Sequence, residues 1–241
     1  MAHRYFLTQI NNNIATVEGD EAHHLSRVMR LKAGDEVILC DKEGFDYTAV
    51  ATDVSDRVIT FEVKDKTRNL AEPCKNLTVY MALPKSDKLE FIVQKSCELG
   101  AKRLVPFISE YCVAQKSKKE DNKKARLAKI SAEAAKQCGR STPMEIGDTL
   151  TFKQLLQDMQ TNDVNLFFYE HADCPLKDID FADKTNVSVI IGSEGGFSEK
   201  ECGQLAENGA KTISLGRRIL RCETAAVSAV TLTMYTMGEM E

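Results

Sequence analysis

No run of the 241-residue chain approaches the roughly 18 apolar residues of a membrane span, and the start, Met1-Ala2-His3-Arg4-Tyr5-Phe6, lacks the apolar stretch of a secretion signal. A cytoplasmic protein with no membrane partner is expected. Pairing patterns are missing as well. The eight cysteines, at positions 40, 74, 97, 112, 138, 174, 202 and 222, include no C-x-x-C pair, and the four histidines do not cluster to complete a zinc site. Reduced thiols and no bound metal are the reading. Positive charge is also in short supply: 32 Lys and Arg face 36 Asp and Glu, leaving a formal charge of −4. That is the wrong sign for a surface coated in nucleic-acid-binding charge, so any RNA contact must be local.

What is present is ordinary for a globular protein, with 43% hydrophobic and 28% charged residues. The length exceeds one compact core and favours two domains. Residues 1–70 read as mostly strand, with β-branched or alternating runs at 36–40, 45–51 and 58–63. Ala33-Gly34-Asp35 and Lys42-Glu43-Gly44 supply the turns, which predicts a small barrel or curled sheet. Residues 21–30 have helical spacing instead, with Leu25, Val28 and Met29 on one side and Arg27 and Arg30 pointing elsewhere. The polar stretch 65–73 ends in proline and reads as a linker, after which a second domain spans 74–241.

In that second part strands and helices alternate, the order of an α/β fold. Strands are expected at 77–83, 104–108, 164–169, 187–191 and 212–215, and helices at 87–99, about 123–138, and 223 to about 237. A further helix, between the last two strands, opens on the capping box Ser198-Glu-Lys-Glu201 and stops before Gly209. The last helix carries Ala226, Val227, Val230, Met234 and Met237, an apolar face for the sheet or a second subunit. From Lys116 to Arg140, Lys116, Lys118, Lys119, Lys123, Lys124, Arg126, Lys129, Lys136 and Arg140 outnumber Glu120, Asp121 and Glu133. Such a stretch is either an RNA contact or a solvated helix face.

Two loops carry chemistry. Ile190-Ile-Gly-Ser-Glu-Gly-Gly-Phe197 follows a buried strand and precedes a capped helix, where α/β sheets place ligands. Gly192, Gly195 and Gly196 permit close backbone approach, and Glu194 favours a cationic ligand over a phosphate. Ser214-Leu-Gly-Arg-Arg-Ile-Leu-Arg-Cys-Glu-Thr-Ala225 repeats the arrangement after the next strand, with Gly216 at its turn. Its Arg217, Arg218 and Arg221 favour contact with an anion or RNA over plain surface charge.

Ile191-Gly-Ser-Glu-Gly-Gly196 together with Leu215-Gly-Arg-Arg-Ile-Leu-Arg-Cys-Glu-Thr224 resembles the RsmE family of the SPOUT methyltransferases. The likeness extends in order through Arg4-Tyr-Phe6, His24-Leu-Ser-Arg-Val-Met-Arg30, Gln94-Lys-Ser-Cys-Glu-Leu-Gly100, Ser109-Glu-Tyr-Cys112 and Gln137-Cys-Gly-Arg140. It implies N3-methylation of one uridine of 16S rRNA in the small ribosomal subunit, with S-adenosyl-L-methionine as cofactor. It also implies a PUA-like β-barrel for RNA binding, a C-terminal SPOUT-type α/β domain with a trefoil knot, and a homodimer. Gly192, Glu194, Gly195, Gly196, Leu215, Gly216 and Leu220 would then hold the cofactor. Glu194 or Glu223 would face the sulfonium, and Arg221 would stabilise the developing uracil anion. Arg4, Arg27, Arg30, Lys123, Arg126 and Arg140 are the candidates for RNA contact. His24 is assigned no catalysis, and Lys95 and Glu98 are either an ion-paired face or near the substrate.

The chain departs from the family pattern at Ser193 and Arg217, where prolines are usual, and at Cys222 and Ala225, where threonines are usual. The glycines and both glutamates remain, so activity is expected to be retained. Two rival readings stay open: a SPOUT enzyme acting on another RNA site, and a catalytically silent RNA-binding protein.

Overall fold

The computed structural model describes residues 4–85, 87–112, 120–172 and 174–240. Lys116, Lys118 and Lys119 of the basic stretch lie outside the described residues. The chain forms two compact units, one comprising the residues up to Glu72 with Ala135–Pro143, the other Pro73–Ala134 with the residues from Met144 onward.

The first unit is a six-stranded curled sheet of β1 (Arg4–Phe6), β2 (Gln9–Asn11), β3 (Ile14–Glu18), β4 (Glu36–Cys40), β5 (Phe45–Val54) and β6 (Val58–Arg68), in the order β1-β4-β5-β6-β3-β2. Every pairing is antiparallel except β1 with β4. Register shifts at Thr48/Ala49 and Ala51/Asp53 bend β5 against β6, which is how a short sheet wraps around its own core. Alternate residues face inward, so Tyr5, Val17, Leu39 and Phe61 are buried together with Leu25. The polar run from residue 65 is drawn into β6 as far as Arg68 by pairing with β5, which shortens the expected linker.

The helical segment of this unit is α1 (Asp20–His23), continued by a π-helical turn over His24–Val28. Of its expected apolar side only Leu25 is buried, whereas Val28 is 63% exposed. The wider π turn rotates the residues after Leu25 away from the face that a regular helix would bury.

The second unit is built on β7 (Asn76–Ala82), β8 (Arg103–Ile108), β9 (Glu145–Ile146), β10 (Leu150–Thr151), β11 (Val164–Phe168), β12 (Asn186–Ile191) and β13 (Lys211–Ile213). All pairings are parallel, in the order β10-β8-β7-β12-β11-β13 with β9 also beside β8. The central strands are buried on both faces, hence the largely apolar runs Leu77 to Ala82 and Val187 to Ile191, interrupted only by Thr78 and Ser188. The helices are α2 (Lys88–Glu98), α3 (Glu120–Cys138), α4 (Phe152–Asp158), α5 (Glu199–Glu207) and α6 (Cys222–Thr236). At α5 the Ser198 hydroxyl accepts from the Glu201 amide at 3.3 Å while the Ser198 amide donates to the Glu201 carboxylate at 3.0 Å, the reciprocal cap that fixes where the preceding loop ends. Helix α6 packs on α2, burying Ala226, Ala229, Val230 and Met234. No helix among the described residues is long and apolar enough to cross a membrane.

Candidate functional site

The carboxyl ends of β11, β12 and β13 open into one cleft of about 400 Å³, closed on its other sides by the starts of α2 and α6. β12 lies between β7 and β11, so chain connections leave in opposite directions at this point and free space for a ligand. Both glycine loops reach the cleft. From the first come Gly192, Glu194 and Gly196, and from the second Leu215, Gly216, Leu220 and Arg221.

The glycines do different jobs. At Gly196 and Gly216 φ is +67° and +94°, backbone that side chains rarely adopt, and a Cβ there would meet nothing within 4 Å. These two shape the turns and leave room beside them. A Cβ on Gly192 would come 2.9 Å from the Phe197 ring, and one on Gly195 would come 2.7 Å from the Tyr111 Cβ and 2.9 Å from its carbonyl oxygen. The Cβ position of Gly195 therefore faces Tyr111. Close packing of the loop on the segment after β8 is the reason it must be glycine.

The charged groups converge on a residue that sequence reasoning passed over. Lys88, at the start of α2, places its Nζ 2.8 Å from Glu194 Oε1 and 3.1 Å from Glu223 Oε2. Glu194 also accepts from the Lys85 amide at 3.2 Å, and the Cys222 thiol donates to Glu223 at 3.3 Å. Burial by itself would push the Glu194 carboxyl up, but Lys88 and the backbone donors outweigh it and hold the group below its ordinary value. Glu223 is likewise held down, first by its own backbone amide at the head of α6 and then by Cys222 and Lys88. Lys88 is raised by the same two partners. Burial, helped by Glu223 and Glu194, pushes the Cys222 thiol up to about 12, so it is neither base nor nucleophile at neutral pH. A lysine opening an ordinary amphipathic helix carries no signal of this role; only the fold brings it to the two glutamates.

Arg217, Arg218 and Arg221 are exposed and make no hydrogen bond or ion pair among the described residues, and Ile219 between them is 83% exposed. The remaining cations expected to meet RNA fall into two groups. Arg30 and Lys123 are exposed and unpaired among the described residues, while Arg27 pairs with Asp56 and Arg126 with Glu90 on the surface. Arg4 and Arg140 are turned inward. Arg4 sits 2.8 Å from Asp46, and Arg140, 3% exposed, lies 3.1 Å from Glu72. Each is engaged by a carboxylate within the first unit. Lys95 pairs with Glu98 on α2 at 2.8 Å, the ion-paired face of the two readings. The eight cysteines are free thiols.

Comparison with known proteins bears on both units. A family model described as an RNA methyltransferase domain matches residues 71–234, and one described as an RNA methyltransferase PUA domain matches residues 17–64. The chain is 35% identical to the ribosomal RNA small subunit methyltransferase E of Bacillus subtilis, over 96% of each chain. It is 32% identical to the protein of the same name from Aquifex aeolicus, over 96% of this chain and 99% of that one. Among solved structures, that of a ribosomal RNA small subunit methyltransferase E from Neisseria gonorrhoeae bound to S-adenosyl methionine superposes with a TM-score of 0.89 at 27% identity, covering 98% of both chains.

Proposed function

Because the chain belongs to the ribosomal RNA small subunit methyltransferase E family, we infer that it methylates N3 of one uridine in 16S rRNA of the small ribosomal subunit, with S-adenosyl-L-methionine as donor. The observation that carries this reading from family to chemistry is the cleft itself, where two glycine loops, a carboxylate cluster and an unpaired arginine meet. The residues fit the cofactor. Gly196 and Gly216 leave open space at the backbone, and Leu215 and Leu220 offer apolar lining to an adenine ring. Glu194 and Glu223 are held ionised near the place a sulfonium would occupy.

When bound, the cofactor supplies an electrophilic methyl group on its sulfonium, and no metal is needed. The protein's part is alignment and charge. Gly192, Glu194, Gly196, Leu215, Gly216 and Leu220 bind and orient the donor, while Gly195 keeps the first loop seated on Tyr111. Arg221, exposed at the head of α6 with no partner among the described residues, favours the ionised form of the uracil imide by placing a cation beside it. Glu223 acts through Lys88 to set the charge of the site. Arg27, Arg30, Lys123 and Arg126 offer phosphate contacts.

This reading includes the trefoil knot that the resemblance implies for the C-terminal fold, a cytoplasmic location and a homodimer. Dimerisation is supported by Leu232 and Tyr235, which stay 44% and 65% exposed on a helix whose Ala226, Ala229, Val230 and Met234 are buried. Light scattering at micromolar concentration tests it, and a fully active monomer would refute it. The reaction is tested by incubating small subunits from cells lacking the gene with methyl-labelled cofactor and digesting the RNA to nucleosides. N3-methyluridine is the expected product, and label on a ribose would reassign the enzyme to another chemistry.

A further inference from the structure

Among the described residues Lys88 is the ammonium that touches both Glu194 and Glu223, and the three residues come from three separate elements: the start of α2, the loop after β12 and the first turn of α6. None of the three side chains is fully buried, with relative exposures of 27%, 28% and 22% for Lys88, Glu194 and Glu223. Lys88 and Glu194 line the cleft without being sealed from it, and Glu223 joins them through Lys88. Counting charges, these two carboxylates share one ammonium, so the cluster keeps one net negative charge. Glu170, Arg218 and Arg221 also line the cleft but are exposed, where solvent screens them more strongly.

We propose that Lys88 is a positioning residue with a second role: it sets the residual negative charge by which the site distinguishes a cationic sulfonium from a neutral thioether, and hence the methyl donor from the demethylated product. The inference rests on the proposed cofactor and goes beyond it. With the lysine absent, two adjacent carboxylates would repel each other and drive the first loop away from the head of α6, weakening both ligands. The same loss adds one negative charge, which acts only on the ligand that carries a positive one. A staple without an electrostatic role would lower both affinities by the same factor. The two roles therefore separate in a ratio rather than in an affinity.

The experiment is calorimetry of the full-length protein with S-adenosylmethionine and, separately, S-adenosylhomocysteine. For Lys88→Met we expect both affinities to fall and their ratio to move by about fivefold or more toward the donor, fivefold being the size of one added unit charge about 4 Å away under the full screening of bulk water. Glu194→Gln removes a negative charge and should move the ratio the other way by a similar factor. Lys88→Arg keeps the charge and should restore the wild-type ratio even where it does not restore the affinities. An unchanged ratio in both Lys88→Met and Glu194→Gln overturns the proposal, and so does a shift of the same sign in the two. If Lys88→Met does not fold, Glu194→Gln and Lys88→Arg decide alone: an unshifted ratio in the first, or a displaced one in the second, refutes it. Failure of the wild-type protein to bind either ligand would instead strike the proposed function, and is distinguishable from these outcomes for that reason.

Discussion

The two loops that meet in the cleft look alike in sequence and differ in construction. The loop after β12 is fastened at every point: Gly192 against Phe197, Gly195 against Tyr111, and Glu194 to both Lys88 and the Lys85 amide. The loop after β13 is tied near its start, where the Ser214 amide donates to the Cys174 carbonyl and the Gly216 amide to the Ser214 hydroxyl. From Gly216 to Ile219 it is exposed, and its three arginines have no partners among the described residues. A preorganised surface and a set of uncommitted cations suit different ligands. The fastened loop suits the small cofactor, which gains from geometry fixed in advance, and the free one suits a polyanion whose phosphates provide the missing partners.

The largest effect should come from breaking the fastened loop. Gly195→Val puts a branched side chain where even a Cβ would lie 2.7 Å from Tyr111, an overpacking that costs about 1–3 kcal/mol. Cofactor affinity by calorimetry should fall at least about tenfold in a protein that still melts cooperatively; unchanged affinity would show that the loop does not hold the cofactor. Of comparable size is Arg221→Ala, expected to lower the methyl-transfer rate by about 10²-fold, as removal of a charge-stabilising donor does, with cofactor affinity unaltered. A parallel loss of affinity would place Arg221 on the fastened side of the comparison. Smaller again, Arg217→Ala and Arg218→Ala should each reduce the slope of RNA affinity against salt by roughly one while sparing the cofactor.

The smallest effect concerns pH. Glu194 and Glu223 are held below their ordinary value of 4.5, so their contribution is complete above that value and is lost only as pH falls through the depressed ones. Lys88 is raised above its ordinary 10.5, so its contribution is complete below that value and is lost as pH rises through the elevated one. Cofactor affinity should therefore be flat between about pH 5 and pH 7, below the range in which the ligand's own α-amino group titrates. A titration step inside that window, measured by calorimetry, would show that the cluster is not paired in solution.

Much of this division is legible in the residues. The capping box at Ser198 and Glu201 fixes the end of the first loop, and the largely apolar run before Gly192 marks a strand buried on both faces. Short strands with alternating burial, such as Glu36–Cys40, are equally plain. The three-residue strands Arg4–Phe6 and Gln9–Asn11 are not, because so few residues show no period. Helix α4 escaped notice although Thr151 and Gln154 form a capping box. Lys88 and the inward turn of Arg4 and Arg140 could not be read at all: whether a cation meets solvent or a carboxylate is decided by residues tens of positions away, as Lys88 with Glu223 and Arg140 with Glu72 show.

The central claim is that these loops together deliver one methyl group to one base of small-subunit RNA. The measurement that tests it most directly is a map of modified nucleosides in 16S rRNA from cells lacking the gene, from the same cells carrying the wild-type gene, and from cells carrying Arg221→Ala. The account predicts a single N3-methyluridine that is absent in the first, restored in the second and reduced or missing in the third. An unaltered modification map on loss of the gene, or a missing modification of another kind, would contradict it.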